Sequence, residues 1–164
     1  MNTCTRMFAA MALVALALPG FAESFVLKSA EGGFAVTFPA QPEQKTQPQQ
    51  GGTLHLYVLN SGGGAWVASY YDLPKEKRSG GTAALLEEWA KGAARDGRLR
   101  KSSRVKVAGA SGREVLVDLD GDKVRRQRGL IVKDRLYQIA YAGPRGTDAS
   151  AEVKRFFDSF KLRR

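Results

Sequence analysis

The chain has 164 residues, a formal net charge of +10 and 43% hydrophobic residues, enough for one domain with its own core. Its single cysteine and single histidine, Cys4 and His55, exclude a disulfide framework, a cysteine-ligated zinc or iron-sulfur centre and any two-histidine metal motif. The positive excess favours anionic partners such as lipid head groups, polyanionic envelope polymers or acidic proteins. It does not choose among them, and plain solubility is the competing reading.

Residues 1–22 carry a lone cation at Arg6, an apolar run from Phe8 to Leu18, Pro19, and the small-residue site Gly20-Phe21-Ala22. This is the pattern of a cleaved secretory signal, with processing before Glu23 and a periplasmic or secreted product. The apolar run falls short of the roughly 20 residues that span a bilayer, so no membrane span is expected after processing. Processing also removes Cys4, and the exported chain must then be stabilised by packing alone.

Residues 25–27 and 34–38 read as strands around a Gly32-Gly33 turn, with Phe34, Val36 and Phe38 on one face. Residues 39–52, rich in Gln and Pro without apolar periodicity, predict a long surface loop. Residues 53–59 and 65–71 form a hairpin across the loose turn Asn60-Ser-Gly-Gly-Gly64. Tyr70 and Tyr71 point to opposite faces there, so only one is expected to be buried. After a polar connector at 73–81, a helix is predicted over 82–95. Its apolar stripe is Leu85, Leu86, Trp89, Ala90 and Ala93, and Glu87, Glu88 and Lys91 face away.

Four strands follow, at 101–107, 112–119, 123–132 and 135–142, with turns at 109–112, Asp120-Gly121 and Lys133-Asp134. A terminal helix over 147–160 carries Val153, Phe156, Phe157 and Phe160 at i, i+3, i+4 and i+7. Tight turns imply antiparallel pairing, and residues 23–164 are expected to form one α+β domain: a single antiparallel sheet flanked by two amphipathic helices.

The reactive residue types are few. His55 alternates with Leu54 and Leu56 in a strand, where a half-exposed sheet histidine is the plainer reading than a catalytic one. Ser103 and Lys106 have serine-lysine spacing, but a strand sends them to opposite faces. Asp118, Asp120 and Asp122 around Gly121 lack the glutamate that completes a calcium loop and read as a charged hairpin tip. No metal or cofactor is assigned. Trp66, Tyr70, Tyr71, Tyr137 and Tyr141 could stack on a ligand, but packing between sheet and helices is their commoner use.

Two basic clusters remain as candidate binding residues: Arg98, Arg100, Lys101 and Arg104, followed by Lys106, and Lys123, Arg125, Arg126 and Arg128. In a strand Arg126 and Arg128 share the face of Val124 and Arg125 takes the other. An arginine there either anchors a carboxylate or phosphate, or pairs with Glu114 or Asp118 on the neighbouring strand.

The ordering of Gly33-Phe34-Ala-Val-Thr-Phe38-Pro39, Ala65-Trp-Val-Ala-Ser-Tyr70-Tyr71-Asp72-Leu73-Pro74, Gly112-Arg113-Glu114, Arg135-Leu-Tyr137-Gln-Ile139 and Phe156-Phe157-Asp158-Ser159-Phe160-Lys161 resembles exported bacterial proteins of the PsbP-like superfamily. The resemblance implies an antiparallel sheet flanked by helices and a theme of noncatalytic protein binding. Fold alone assigns no partner. The expected function is therefore a noncatalytic exported binding or assembly module for an envelope protein or anionic surface, with no specific nucleic acid. The alternatives are a carrier of a small anionic ligand, with its cavity under the terminal helix, and a hydrolase using His55 and nearby carboxylates.

Overall fold

The computed structural model describes residues 23–163; the proposed signal lies outside the described residues. The elements run β1 (Phe25–Ser29), β2 (Phe34–Phe38), β3 (Glu43–Gln49), β4 (Gly52–Ser61), β5 (Gly64–Asp72), α1 (Gly81–Ala93), β6 (Arg98–Val107), β7 (Ala110–Leu119), β8 (Lys123–Val132), β9 (Arg135–Pro144), α2 (Ala151–Ser159) and β10 (Lys161–Leu162). No described helix is long and apolar enough to cross a membrane.

The α+β class and antiparallel pairing hold, but the expected single sheet is two sheets. Seven strands form the main sheet in the order β3-β4-β5-β9-β8-β7-β6, and three form a smaller one in the order β1-β2-β10. The split follows from β2, whose Phe34, Val36 and Phe38 all face inward. They pack on the face of the main sheet instead of extending its edge.

That face is the main core. Phe34 stacks on Phe160 with centroids 5.4 Å apart, Phe38 meets Phe156 edge-on at 5.0 Å, and Phe156 meets Trp66 at 5.3 Å. The helix α2 brings Val153, Phe156 and Phe157 there because their spacing lies on one helical face. It begins at Ala151, later than periodicity implied, because the Ser150 side chain caps it by accepting from the Val153 N–H at 3.3 Å. Thr147–Ala149 are a separate turn of 3-10 helix.

The opposite face is covered by α1, which buries Leu86 and Ala90. Its Trp89 lies flat against Gly129 of β8, where an added Cβ would come within 2.7 Å of the indole. The Trp89 Nε1 donates to Gln138 Oε1 at 2.8 Å, satisfying the one polar atom of a mostly apolar ring. With both faces covered, Tyr70 and Tyr71 are both buried, at 1% and 8% exposure, contrary to the expectation that one would be free.

Other differences have local causes. The expected loop at 39–52 contains β3, paired with β4 from Glu43↔Val58 to Gln49↔Gly52. It is exposed throughout, so no apolar alternation marks it, and Pro48 is tolerated because the strand lies at a sheet edge. The β4–β5 connection is tight: Ser61 pairs with Gly64, leaving Gly62 and Gly63, both at positive φ, which only glycine adopts freely. The β6–β7 turn is Ala108-Gly109, and the β7–β8 turn takes three residues, Asp120 to Asp122. Glu87 does not face away; it pairs with Arg113 of β7.

Candidate functional site

The basic residues of β6 lie on the outer edge strand of the main sheet. Their placement depends on a bulge. Arg98 pairs with Asp118 and Leu99 with Val117, yet Lys101 pairs with Leu116, so Arg100 is the extra residue. The bulge reverses the alternation that follows it. Lys101 and Ser103 face the α2 side, with Val105 and Val107 beyond them against the main core, and Arg104 and Lys106 face the α1 side. A regular strand would have aligned Arg98, Arg100, Arg104 and Lys106 on one side.

At the start of β6 the cations are held internally. The buried Asp118 carboxylate accepts from Arg98 Nη2 at 2.9 Å and from Arg100, with Arg145 3.8 Å away. These guanidiniums hold its pKa below the ordinary value, Arg98 most strongly. Asp122 receives Arg145 Nε at 2.8 Å, so Asp118 and Asp122 of the hairpin tip serve as arginine partners.

The β8 arginines are also held inside the fold. Arg126 Nε and Arg128 Nε donate to the two oxygens of Glu114, at 3.0 and 2.8 Å. Arg128 adds a bond to the Phe157 carbonyl at 3.1 Å, and the Arg126 guanidinium sits 4.4 Å above the Phe157 ring. On the α1 side Arg125 grips Asp96 at 2.6 and 2.9 Å and also reaches the Ala93 carbonyl, tying the end of α1 to the sheet. This contact holds the Asp96 pKa low. Lys123 stands exposed beside the β7–β8 turn.

Lys101 and Arg104 differ from the arginines just described, as does Lys106 beside them. All three are exposed, and none makes an ion pair or side-chain hydrogen bond with the described residues. Depressions flank them on both sides of the sheet. One of about 510 Å³ is lined by Arg104, Lys106, Ser111, Arg113 and Glu87 beside the first turns of α1. The other, about 200 Å³, is lined by Lys101, Ser103, Glu114 and Arg126. Arg104 and Lys106 share a face two residues apart, roughly 7 Å along the backbone at about 3.3 Å per strand residue. That is within the Debye length of about 8 Å at physiological salt, so their potentials reinforce each other while Lys101 acts from the opposite face. Composition marked the cluster, but no sequence signal paired Arg113 or Ser111 with it, because they arrive from β7.

His55 lies at the other end of the molecule. Its ring stacks on Tyr70 at 4.5 Å, nearly parallel, and its Nε2 is 3.9 Å from Glu31. Arg135 covers Tyr70 as well, its Cζ 4.8 Å from the ring centroid, while gripping Asp72 at 2.6 and 2.9 Å and the Glu31 carbonyl at 2.8 Å. Burial first, then Glu31, pushes the Tyr70 pKa up, so the phenol keeps its proton, and the Arg135 bond holds Asp72 low. Among the described residues nothing bonds the buried His55 Nδ1, and Glu31 is the carboxylate facing the other ring nitrogen. The cluster ties the β1–β2 turn to the main sheet, helped by the bonds from Tyr57 to Ser29 and from Tyr137 to the Gly32 carbonyl. The five aromatic residues weighed as a ligand platform, including Trp66 and Tyr141, are all buried.

No family profile matches the chain, and no curated protein matches it. Solved structures do. Cyanobacterial PsbP (CyanoP) from Synechocystis matches with a TM-score of 0.59 at 10% identity, covering 92% of this chain and 98% of that one. A Pseudomonas aeruginosa protein of unknown function matches with a TM-score of 0.53 at 12% identity, over 86% of this chain and 98% of that one. A protein from Bacteroides thetaiotaomicron gives 0.51 at 13% identity, with 88% of this chain spanning 49% of that one. At such low identity the likeness concerns architecture alone. The two-sheet sandwich, with α1 on one face and α2 on the other, is a PsbP-like fold.

Proposed function

We propose that the chain is a noncatalytic exported binding module that engages an anionic partner in the cell envelope through the outer part of β6. One observation carries this reading: Lys101, Arg104 and Lys106 stand exposed and unpaired among the described residues, whereas the arginines of β8 are bound to internal carboxylates. The leader pattern of residues 1–22 supports export, and the fold shared with proteins of 10–13% identity is consistent with a scaffold carrying a surface site.

The test is retention of an envelope extract on the immobilised protein at low and high salt, comparing wild type with the triple variant Lys101→Glu, Arg104→Glu, Lys106→Glu. Retention is expected to fall at least about tenfold with salt and with charge reversal. Equal retention by both proteins at every salt concentration would overturn the reading. N-terminal sequencing of the exported product should begin at Glu23.

A further inference from the structure

We infer that the β6 edge accepts an extended acidic segment of a partner protein as an additional strand of the main sheet, its carboxylates meeting Lys101 on one face and Arg104 and Lys106 on the other. This rests on the binding function proposed above and specifies the partner's chemistry.

Three observations support it. First, among the described residues β6 pairs only with β7, so its outer side offers backbone donors and acceptors. Beyond the bulge the register is regular from Lys101↔Leu116 to Val107↔Ala110, and the strand contains no proline. The opposite edge, β3, is interrupted by Pro48, which lacks an N–H.

Second, the free cations are divided between the two sides of the sheet, each beside its own depression. An added strand lies about 4.8 Å from its neighbour and sends successive side chains to alternate faces. It can therefore place carboxylates in both depressions at once. A flat lipid surface meets one side of the sheet and leaves the other cations unused, which favours a peptide strand over a membrane.

Third, the charge selects the occupant. A second copy of β6 would bring lysines and arginines against one another, and like charges across strands are destabilising. The edge is thus closed to its own kind and open to a segment of opposite sign.

The experiment uses the full chain, isotope-labelled, and the extended peptide Glu-Glu-Val-Thr-Glu-Glu-Val, which presents two glutamates on each face. Its comparators are the same peptide with N-methylated backbone amides and vesicles of phosphatidylcholine with phosphatidylglycerol. The peptide is expected to bind and to slow hydrogen exchange of outward β6 amides within 101–107 at least about tenfold. N-methylation should weaken binding by a similar factor, as should the triple charge reversal. Equal binding of the N-methylated peptide without amide protection would overturn strand addition while leaving an anionic partner in place. Binding to vesicles but not to the peptide would do the same and identify lipid as the ligand. Failure of both probes would remove strand addition and the basic-edge reading together.

Discussion

The cations of β6 beyond its bulge and the arginines of β8 have similar chemistry and opposite fates, whereas Arg98 and the bulged Arg100 are held by Asp118. β8 is an inner strand, so each of its arginines is surrounded by neighbours: Arg126 and Arg128 meet Glu114 and Phe157, and Arg125 meets Asp96. β6 is an edge, and past its bulge Lys101, Arg104 and Lys106 form no ion pair among the described residues, Glu87 beside Arg104 being held by Arg113. A run of cations thus has no fixed meaning. Its position in the sheet decides whether the charges bind the fold together or remain available to a partner.

The contrast can be broken most forcefully from the β8 side. Glu114→Ala strands two largely buried guanidiniums, and we expect a loss of about 2–3 kcal/mol in denaturant unfolding, since charged hydrogen bonds are lost without replacement. Replacing Arg128 in the same background should recover part of it, because the stranded charge is then gone. Next comes Gly129→Ala, which drives a methyl group into the Trp89 ring and should cost about 1–3 kcal/mol by overpacking. The loss should shrink in the double variant with Trp89→Ala.

Acid sharpens the same comparison. Asp118, Asp96, Asp72 and Glu87 all have folded-state pKa values lowered by arginine partners. Their contribution is complete above the ordinary carboxylate range of about 4 and is lost as the pH falls through each lowered value. The unfolding midpoint should therefore drop steeply below about pH 4, and Asp118→Asn should flatten the profile. The smallest stability effect belongs to β6: Lys101→Ala, Arg104→Ala and Lys106→Ala should each stay within about 0.5 kcal/mol of wild type. A larger change in thermal unfolding would mean that these side chains hold the fold together after all.

Much of the architecture is legible in the chain because strand and helix periodicities are local. The alternation of Phe34, Val36 and Phe38, the helical stripe of Val153, Phe156 and Phe157, and the Lys133-Asp134 turn are all present, while Phe160, expected as the stripe's last residue, is buried just past the helix end in extended backbone. β3 was hidden because an edge strand exposed on both faces has no apolar pattern to show. Tyr70 and Tyr71 misled because burial on both sides depends on α1 and the small sheet arriving from distant parts of the chain. The alternative of structural pairing for Arg126 and Arg128 was visible as a choice, and the Glu114↔Arg128 register resolves it.

The amino-acid order by itself determined the positive charge, the single histidine and single cysteine, the strand-rich composition and the apolar stripes, since each depends on residue identity and short-range spacing. Tertiary structure alone decided the division into two sheets, the bulge at Arg100 and which cations keep a carboxylate partner. Those outcomes depend on contacts between segments far apart in the chain, where an electrostatic interaction acts over a few ångströms of space and takes no account of separation in sequence.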